Sequence, residues 1–194
     1  INKIKVYTEK SKNKEILKFD DNIKQIFSIV KNRDLEKLLV SKLKKIKFVK
    51  FKKNNHHQDI FNQNYKLIIN CDQNNLITKK FFSKKIVKNY NSYAYTTTIN
   101  HKKINNKTAF QNFTNDGPIA FLPISEIQTS VVYSLRTKNK KNNFNIESLI
   151  RKYNPIYSIT KINDCNRFQL KSSSLRKYYK ENILAFGDVL HKIH

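Results

Sequence analysis

Four closely spaced β-like stretches in the middle of the chain most constrain its fold. They cover residues 93–101, 108–113, 119–124 and 129–135, and they are joined by short polar links. Parallel neighbours need a crossover of a dozen or more residues, usually a helix, whereas antiparallel neighbours need only a turn. These links are too short for crossovers. The pattern therefore predicts a mostly antiparallel sheet.

The segment before this sheet mixes helical and strand-like patterns. Leu35, Leu38, Leu39 and Leu43 recur at helical spacing, and Asp34 offers an N-cap, so a helix is predicted over residues 34–45. Alternating residues predict a hairpin of two strands at 3–8 and 15–19, and further strands at 26–30 and 46–51. The apolar run at 65–71 is typical of a strand that is buried on both faces.

The segment after the sheet begins with a predicted helix at residues 145–153, which ends before Pro155. Strands are predicted at 157–162 and 167–171, followed by a short buried run at 183–186. The order is therefore α/β, then an antiparallel insert, then a return to an α/β strand. A chain that leaves a nucleotide-binding domain and comes back to it would show this order.

The formal net charge of +25 suggests a nucleic-acid-binding protein. Base composition of the genome is a competing explanation, because Lys, Asn, Ile, Phe and Tyr are abundant together while Gly falls to 2 and Trp and Met are absent. Asn gains nothing from phosphate attraction, and the lysines are spread along the chain. We favour the codon explanation, and nucleic acid is not an expected partner. A basic nucleic-acid-binding domain remains the alternative from a different class.

Other common site types find little support in the sequence. Cys71 and Cys165 make neither a disulfide framework nor a metal motif, which predicts reduced thiols and a cytoplasmic protein. His56 and His57 have no further ligands at metal-binding spacing, so a loop is predicted there and no metal site. No apolar run approaches the roughly 18 residues that a membrane-spanning helix needs.

The last residues carry the most informative motif. An apolar strand runs into Gly187 and Asp188, and His191 follows three residues after the Asp. Glycine at a strand end lets a ligand approach the backbone closely. A carboxylate there can accept hydrogen bonds from a chain of hydroxyls, as acidic residues do for ribose in nucleotide folds. Taken alone, a Gly-Asp dipeptide is also an ordinary turn.

This motif, Leu-Ala-Phe-Gly-Asp-Val-Leu-His, resembles the second flavin fingerprint of the class A flavoprotein monooxygenases. The segment from Ala109 to Ile124 resembles the A-x-x-R-F-x-x-x-G-P-x-A-x-L-P-L stretch of their ubiquinone-biosynthesis hydroxylases, with Asn112 in place of the Arg. Residues 130–135 are similar to the strand that follows, with Tyr133 where Trp is usual, and residues 29–39 are similar to a strand-to-helix segment. The resemblance covers almost the whole chain in the right order.

The resemblance implies part of an FAD/NAD(P)-binding Rossmann-like domain with an inserted, mostly antiparallel substrate domain. The predicted domains are residues 1–80 (partial FAD-binding), 81–178 (substrate) and 179–194 (return strand). The cofactors would be FAD, with NAD(P)H as reductant. The implied cofactor-binding residues are Asp188, Gly187, His191, Asp72 and Arg33. Phe113, Phe121, Leu122 and Pro123 would face an aromatic substrate, although sheet core is expected for at least half of them.

One motif departs from the family pattern. The family has Gly-Ala-Asp-Gly-x-x-Ser-x-x-Arg where this chain keeps Asp72 but has Asn70 and Gln73 for the two glycines, Leu76 for the Ser and Lys79 for the Arg. If the second glycine needs a positive φ, Gln73 would carry about 1 kcal/mol of strain or more. Lysine also lacks the bidentate contacts of arginine. These changes weaken the expected nicotinamide site.

The chain also lacks a G-x-G-x-x-G loop, which in this family holds the flavin pyrophosphate at a helix N-terminus. The expectation is therefore a fragment of a longer enzyme. The parent would hydroxylate a polyprenylated phenol with NAD(P)H and O₂, without a catalytic acid or base from the protein. It would be cytoplasmic and peripheral at the inner membrane or within a ubiquinone-biosynthesis complex. Alternatives are a reductase or halogenase of the same fold, or an inactive homologue.

Overall fold

The computed structural model describes residues 1–11, 14–20, 24–52, 64–136 and 145–193. The chain forms two compact units. The first comprises Ile1–Leu39 with Asn91–Gln169, and the second comprises Val40–Tyr90 with Leu170–His194. Residues 1–80, predicted as one domain, are thus divided between the two units. His56 and His57 lie outside the described residues.

The described residues form three helices and twelve strands. The helices are α1 (Asn32–Leu43), α2 (Leu76–Phe81) and α3 (Ile146–Lys152). The strands are β1 (Lys3–Thr8), β2 (Leu17–Asp20), β3 (Ile68–Asn70), β4 (Lys85–His101), β5 (Thr108–Thr114), β6 (Gly117–Ser125), β7 (Gln128–Arg136), β8 (Ile159–Ile162), β9 (Asn166–Leu175), β10 (Tyr179–Lys180), β11 (Ile183–Ala185) and β12 (His191–Lys192).

The first unit is built on an antiparallel sheet in the order β4-β7-β6-β5-β1-β2, with β8 also paired to β4. The strands β5, β6 and β7 follow one another through tight turns, as the short links predict. The hairpin β1–β2 joins the sheet through a parallel pairing of β1 with β5. The predicted antiparallel sheet, the hairpin and the helix α3 are confirmed.

The core of the first unit lies on one face of this sheet, beneath α3. Alternate residues of β4 to β7 point into it, and Ile150 of α3 and Tyr157 pack against them. The largest buried side chain is Tyr133, whose hydroxyl lies 3.1 Å from Thr114 Oγ1. Burial raises the pKa of Tyr133 to about 12, although the hydrogen bond with Thr114 acts in the opposite direction.

The second unit contains a three-stranded sheet in the order β10-β11-β3, in which β11 and β3 are parallel. The helix α2 follows β3, and Ile77 and Phe82 pack with Ile183, Ala185 and Val189 in a small core. In addition, β12 pairs antiparallel with the end of β9. The predicted return strand at 183–186 is therefore present as β11.

Two strand predictions are wrong, and a third strand is shorter than predicted. Residues 26–30 form no strand, because the amides of Ile26 and Phe27 bond only to the Ile1 carbonyl. Residues 46–51 form no strand either. The chain makes turns after α1, with local hydrogen bonds such as that from Val49 N to Ile46 O in place of bonds to a neighbouring strand. The strand predicted at 65–71 is present over the shorter range of β3, and it is not buried on both faces, since Ile69 is 55% exposed.

Cys71 and Cys165 are free and exposed. Among the residues that the structure describes, no group of three or more His, Cys, Asp or Glu side chains could hold a metal ion, and no helix is long and apolar enough to cross a membrane.

Candidate functional site

The two acidic motifs singled out in the sequence follow neighbouring parallel strands. In the register of β3 and β11, Ile183 lies opposite Ile68 and Ala185 opposite Asn70. The pairing extends one residue further, since the Phe186 amide donates to the Asn70 carbonyl at 3.0 Å. Asp72 and Asp188 therefore emerge at the same edge of the sheet. The carboxyl ends of parallel strands are where open α/β sheets bind their ligands.

Gly187 turns the chain at the end of β11. It has a φ of +61° and begins a short 3₁₀ turn, closed by the bond from Leu190 N to Gly187 O at 3.0 Å. A Cβ placed on Gly187 would meet no heavy atom within 4 Å. The space beside this backbone is thus open, and Asp188 next to it is exposed. The turn leaves room for a ligand against the main chain.

Gln73 connects the two motifs by a hydrogen bond. Its Nε2 donates to the main-chain carbonyl of Asp188 at 2.6 Å, across a separation of 115 residues in sequence. Among the described residues other than glycine, only Asn91 and Glu181 have a positive φ, so the strain considered for Gln73 does not arise. Gln73 therefore acts as a link between the two turns.

Asn70, which replaces the first glycine, is the centre of a hydrogen-bonded network. It is only 4% exposed, its Nδ2 donates to Thr78 Oγ1 at 2.7 Å, and its Oδ1 accepts from Asn75 Nδ2 at 2.6 Å. Thr78 Oγ1 in turn donates to the carbonyl of Asp72 at 2.6 Å. Asn75 caps α2, since its Oδ1 accepts from Thr78 N at 2.8 Å. The substituted motif is therefore a well-ordered turn.

The carboxylate of Asp72 helps to shape this turn. Its Oδ1 accepts from the amide of Asn74 at 2.8 Å, and the residue is exposed. Asp72 consequently has a local structural role whether or not it contacts a ligand. Asp188 differs, because its main-chain carbonyl receives the bond from Gln73. Lys79 and Leu76 of the same motif are exposed on α2.

The remaining predicted cofactor residues are His191 and Arg33. His191 is exposed in β12 opposite Ser174, and its ring lies 5.8 Å from that of Tyr178 in an edge-on arrangement. Arg33 is exposed in the first turn of α1 and belongs to the first unit. Within the second unit, the structure brings together Asp72, Gly187 and Asp188.

The four predicted substrate residues divide between the two faces of the sheet in the first unit. Phe121 and Pro123 point to the buried core face. Phe113, which is 46% exposed, and Leu122 lie on the opposite face, because β5 and β6 pair Phe113 with Pro118 in register. The expectation that half of the set belongs to the core agrees with this arrangement. Leu122 and Phe113 remain on a face that can meet a ligand.

A cavity of about 710 Å³ in the first unit was not predicted. Phe110 and Phe121 line it from β5 and β6, and residues from Lys152 to Ile156 close it from the segment that follows α3. The alternation of residues 108–114 could have placed Phe110 on this face. The contribution of residues 152–156 depends on tertiary packing, which the alternation of residues along a strand does not reveal.

No protein-family model matches the chain, and no curated protein sequence matches it. Its structure is similar to that of the flavin-dependent brominase Bmp2, with a TM-score of 0.62 and 12% identity over 98% of this chain and 55% of the brominase. A triple mutant of that brominase gives a TM-score of 0.63 and 11% identity over 98% and 56% of the two chains. The chain thus spans little more than half of the brominase and shares its mixed α/β fold, which confirms the predicted fold class.

Proposed function

We propose that this chain forms part of the FAD site of a flavin-dependent oxidoreductase that acts on an aromatic compound. The observation that carries the proposal is the meeting of Asp72, Gly187 and Asp188 at the carboxyl ends of two adjacent parallel strands. In this proposal the Asp188 carboxylate accepts hydrogen bonds from the ribityl hydroxyls of the flavin. The fold similarity to a flavin-dependent brominase supports it.

The residues at this edge fit such a ligand. The open space beside Gly187 admits a sugar-like chain against the backbone, and the exposed Asp188 offers acceptor oxygens next to it. The bond from Gln73 to the Asp188 carbonyl holds the turn in place before a ligand arrives, which reduces the entropy lost on binding. Bound FAD would supply the redox chemistry. The chain's own residues would bind and orient it.

We propose the more exposed face of the large sheet as the side that meets the aromatic substrate. Leu122, Ala120 and Val132 share this face, since β6 and β7 pair Ala120 with Val132. These are small and apolar side chains of the kind that line ligand sites. Hydroxylation of a polyprenylated phenol with O₂ is the reaction we propose, by resemblance to the ubiquinone-biosynthesis hydroxylases. NAD(P)H would be the reductant.

Membrane-surface binding follows from the proposed lipid-tailed substrate. A net charge of +25 would favour an anionic surface. The test is co-sedimentation of the protein, expressed from its complete natural gene, with anionic vesicles. A protein that stays in the supernatant at low salt would count against this partner.

Halogenation is the second candidate reaction, because a flavin-dependent brominase matches 98% of this chain in fold. The two reactions differ in their co-substrate. Oxygen uptake with a phenol should be independent of bromide and chloride for a hydroxylase, and the product should carry a hydroxyl group. A halogenase would need the halide and give a halogenated ring.

The FAD site is tested by FAD affinity. Asp188→Ala in the protein expressed from its complete gene should weaken FAD binding about tenfold or more, because hydrogen bonds to a charged group contribute about 1.5–3 kcal/mol. The matched control is Asp164→Ala, which removes another exposed acidic side chain in the first unit. Equal affinity in the two variants would refute the role of Asp188.

A further inference from the structure

The cavity of the first unit has the size and lining of a small-molecule site. Its volume of about 710 Å³ falls within the range of roughly 300–1,000 Å³ that such sites occupy. Phe110 and Phe121 form part of its wall, and both are buried, at 8% and 1% exposure. Tyr7 and Tyr153 add two more rings. The two tyrosines are half-buried and therefore offer aromatic surface to a ligand, with the phenylalanines packed behind them.

This cavity is separate from the proposed substrate face. Phe110 pairs with Phe121 in the register of β5 and β6, and both side chains point to the core face. Leu122 points to the other side of the same sheet. A ligand in the cavity would thus be divided from the proposed substrate by the thickness of the sheet. Ligand binding in the cavity therefore does not depend on the proposed flavin site.

Asn112 is one of several polar residues that line the cavity, and it carries an unpaired buried acceptor. It lies in β5 two residues after Phe110, so both side chains share a face, and it lines the cavity. Its Oδ1 is buried and accepts no hydrogen bond from the described residues. A buried acceptor without a donor is unfavourable. A ligand that donates a hydrogen bond there would remove this cost.

The charges at the rim are largely compensated. Lys5 Nζ lies 3.1 Å from Glu15 Oε2, and Lys152 Nζ lies 3.8 Å from Glu9 Oε1. Glu9 is itself held by Tyr153 Oη at 3.2 Å. Each lysine has an acidic neighbour, so the cavity presents little net charge. A neutral ligand fits these surroundings better than an ion.

We propose that this cavity binds a neutral aromatic molecule whose N–H or O–H group donates a hydrogen bond to Asn112 Oδ1. The half-buried rings of Tyr7 and Tyr153 contact its flat surface, and Pro155 and Ile156, which follow α3, close over its edge. Indole has the required ring and donor. The control is 1-methylindole, which keeps the ring system and carries a methyl group in place of the N–H hydrogen.

Fluorescence anisotropy of the two probes tests the proposal directly, because the chain contains no Trp and the indole signal belongs to the ligand alone. The wild-type protein should bind indole about three- to tenfold more tightly than 1-methylindole, the difference that one neutral hydrogen bond makes. Asn112→Leu removes the acceptor at similar volume. This variant should bind the two probes equally.

A second variant keeps the test decisive if Asn112→Leu fails to fold. Ile156 lines the cavity and is 55% exposed, so Ile156→Tyr can fill the cavity mouth without disturbing the core. It should lose binding of both probes by tenfold or more. The proposal is overturned if the wild type binds neither probe or binds both equally. It is also overturned if Asn112→Leu keeps the preference or Ile156→Tyr binds as well as the wild type.

Discussion

The two glycines of the chain should respond very differently to the same substitution. Gly117 has a φ of +138°, and a Cβ added there would lie 1.9 Å from the carbonyl oxygen of Ser134. Gly187 has a φ of +61°, and a Cβ there would meet nothing within 4 Å. Gly117→Ala therefore introduces backbone strain and a collision, whereas Gly187→Ala introduces strain alone.

The expected losses of unfolding free energy follow from the backbone strain and the steric collision. A left-handed backbone costs an L-residue about 1–2 kcal/mol, which is the whole expected loss for Gly187→Ala. Overlap with packed atoms adds about 1–3 kcal/mol, and at Gly117 the obstacle is a backbone oxygen that no rotamer change can move. The free energy of unfolding should therefore fall by about 2–5 kcal/mol in Gly117→Ala.

Urea unfolding followed by circular dichroism measures the loss of unfolding free energy in each variant. Hydrogen exchange of the β6 and β7 amides shows whether the loss in Gly117→Ala lies in these strands. Protection in β6 and β7 should drop in Gly117→Ala and stay unchanged in Gly187→Ala, since Gly187 belongs to the second unit. A Gly117→Ala protein that loses no more stability than Gly187→Ala would refute the packing of β6 against the Ser134 carbonyl.

Three further outcomes are expected. Phe121→Ala should cost about 3–5 kcal/mol in urea unfolding because Phe121 is 1% exposed, whereas Phe113→Ala at 46% exposure should cost about 1 kcal/mol or less. Asn70→Ala should cost about 1–3 kcal/mol by breaking its buried network, and Asn74→Ala, an exposed neighbour, less than about 0.5 kcal/mol. Because the folded-state pKa of Tyr133 is raised from 10.0 to about 12, the unfolded chain ionises first. The free energy of unfolding of the wild type should therefore fall between pH 10 and 12, and that of Tyr133→Phe should fall less steeply. Equal slopes in the two proteins would contradict this expectation.

Much of the first unit could be predicted from sequence. Alternation and short polar links are local signals, and they placed β5, β6 and β7 within one or two residues. The strands predicted at 26–30 and 46–51 failed because alternation describes a side-chain pattern and says nothing of a hydrogen-bonding partner. Ile26 meets only the Ile1 carbonyl, and Val49 bonds back to Ile46. A short strand exists only where the fold supplies a neighbour.

The candidate site could be predicted only in part, because local sequence patterns do not reveal tertiary contacts. The motifs at Asp72 and Asp188 were visible in the sequence, and the register of β3 and β11 brings them to one edge. The bond from Gln73 to Asp188 joins residues 115 positions apart, so no local pattern announces it. The resemblance presents Asn70 as a lost glycine, whereas in the structure its side chain hydrogen-bonds with Thr78 and Asn75, and Thr78 in turn bonds to the Asp72 carbonyl.

The central claim is that flavin binds at the edge formed by the turns after β3 and β11. The most direct measurement is hydrogen exchange of the protein expressed from its complete gene, with and without FAD. Amides of residues 72–75 and 187–190 should become protected together when FAD is added, and Asp188→Ala should reduce that protection at the same FAD concentration. If FAD binds and both turns exchange at unchanged rates, the assignment of this edge is wrong.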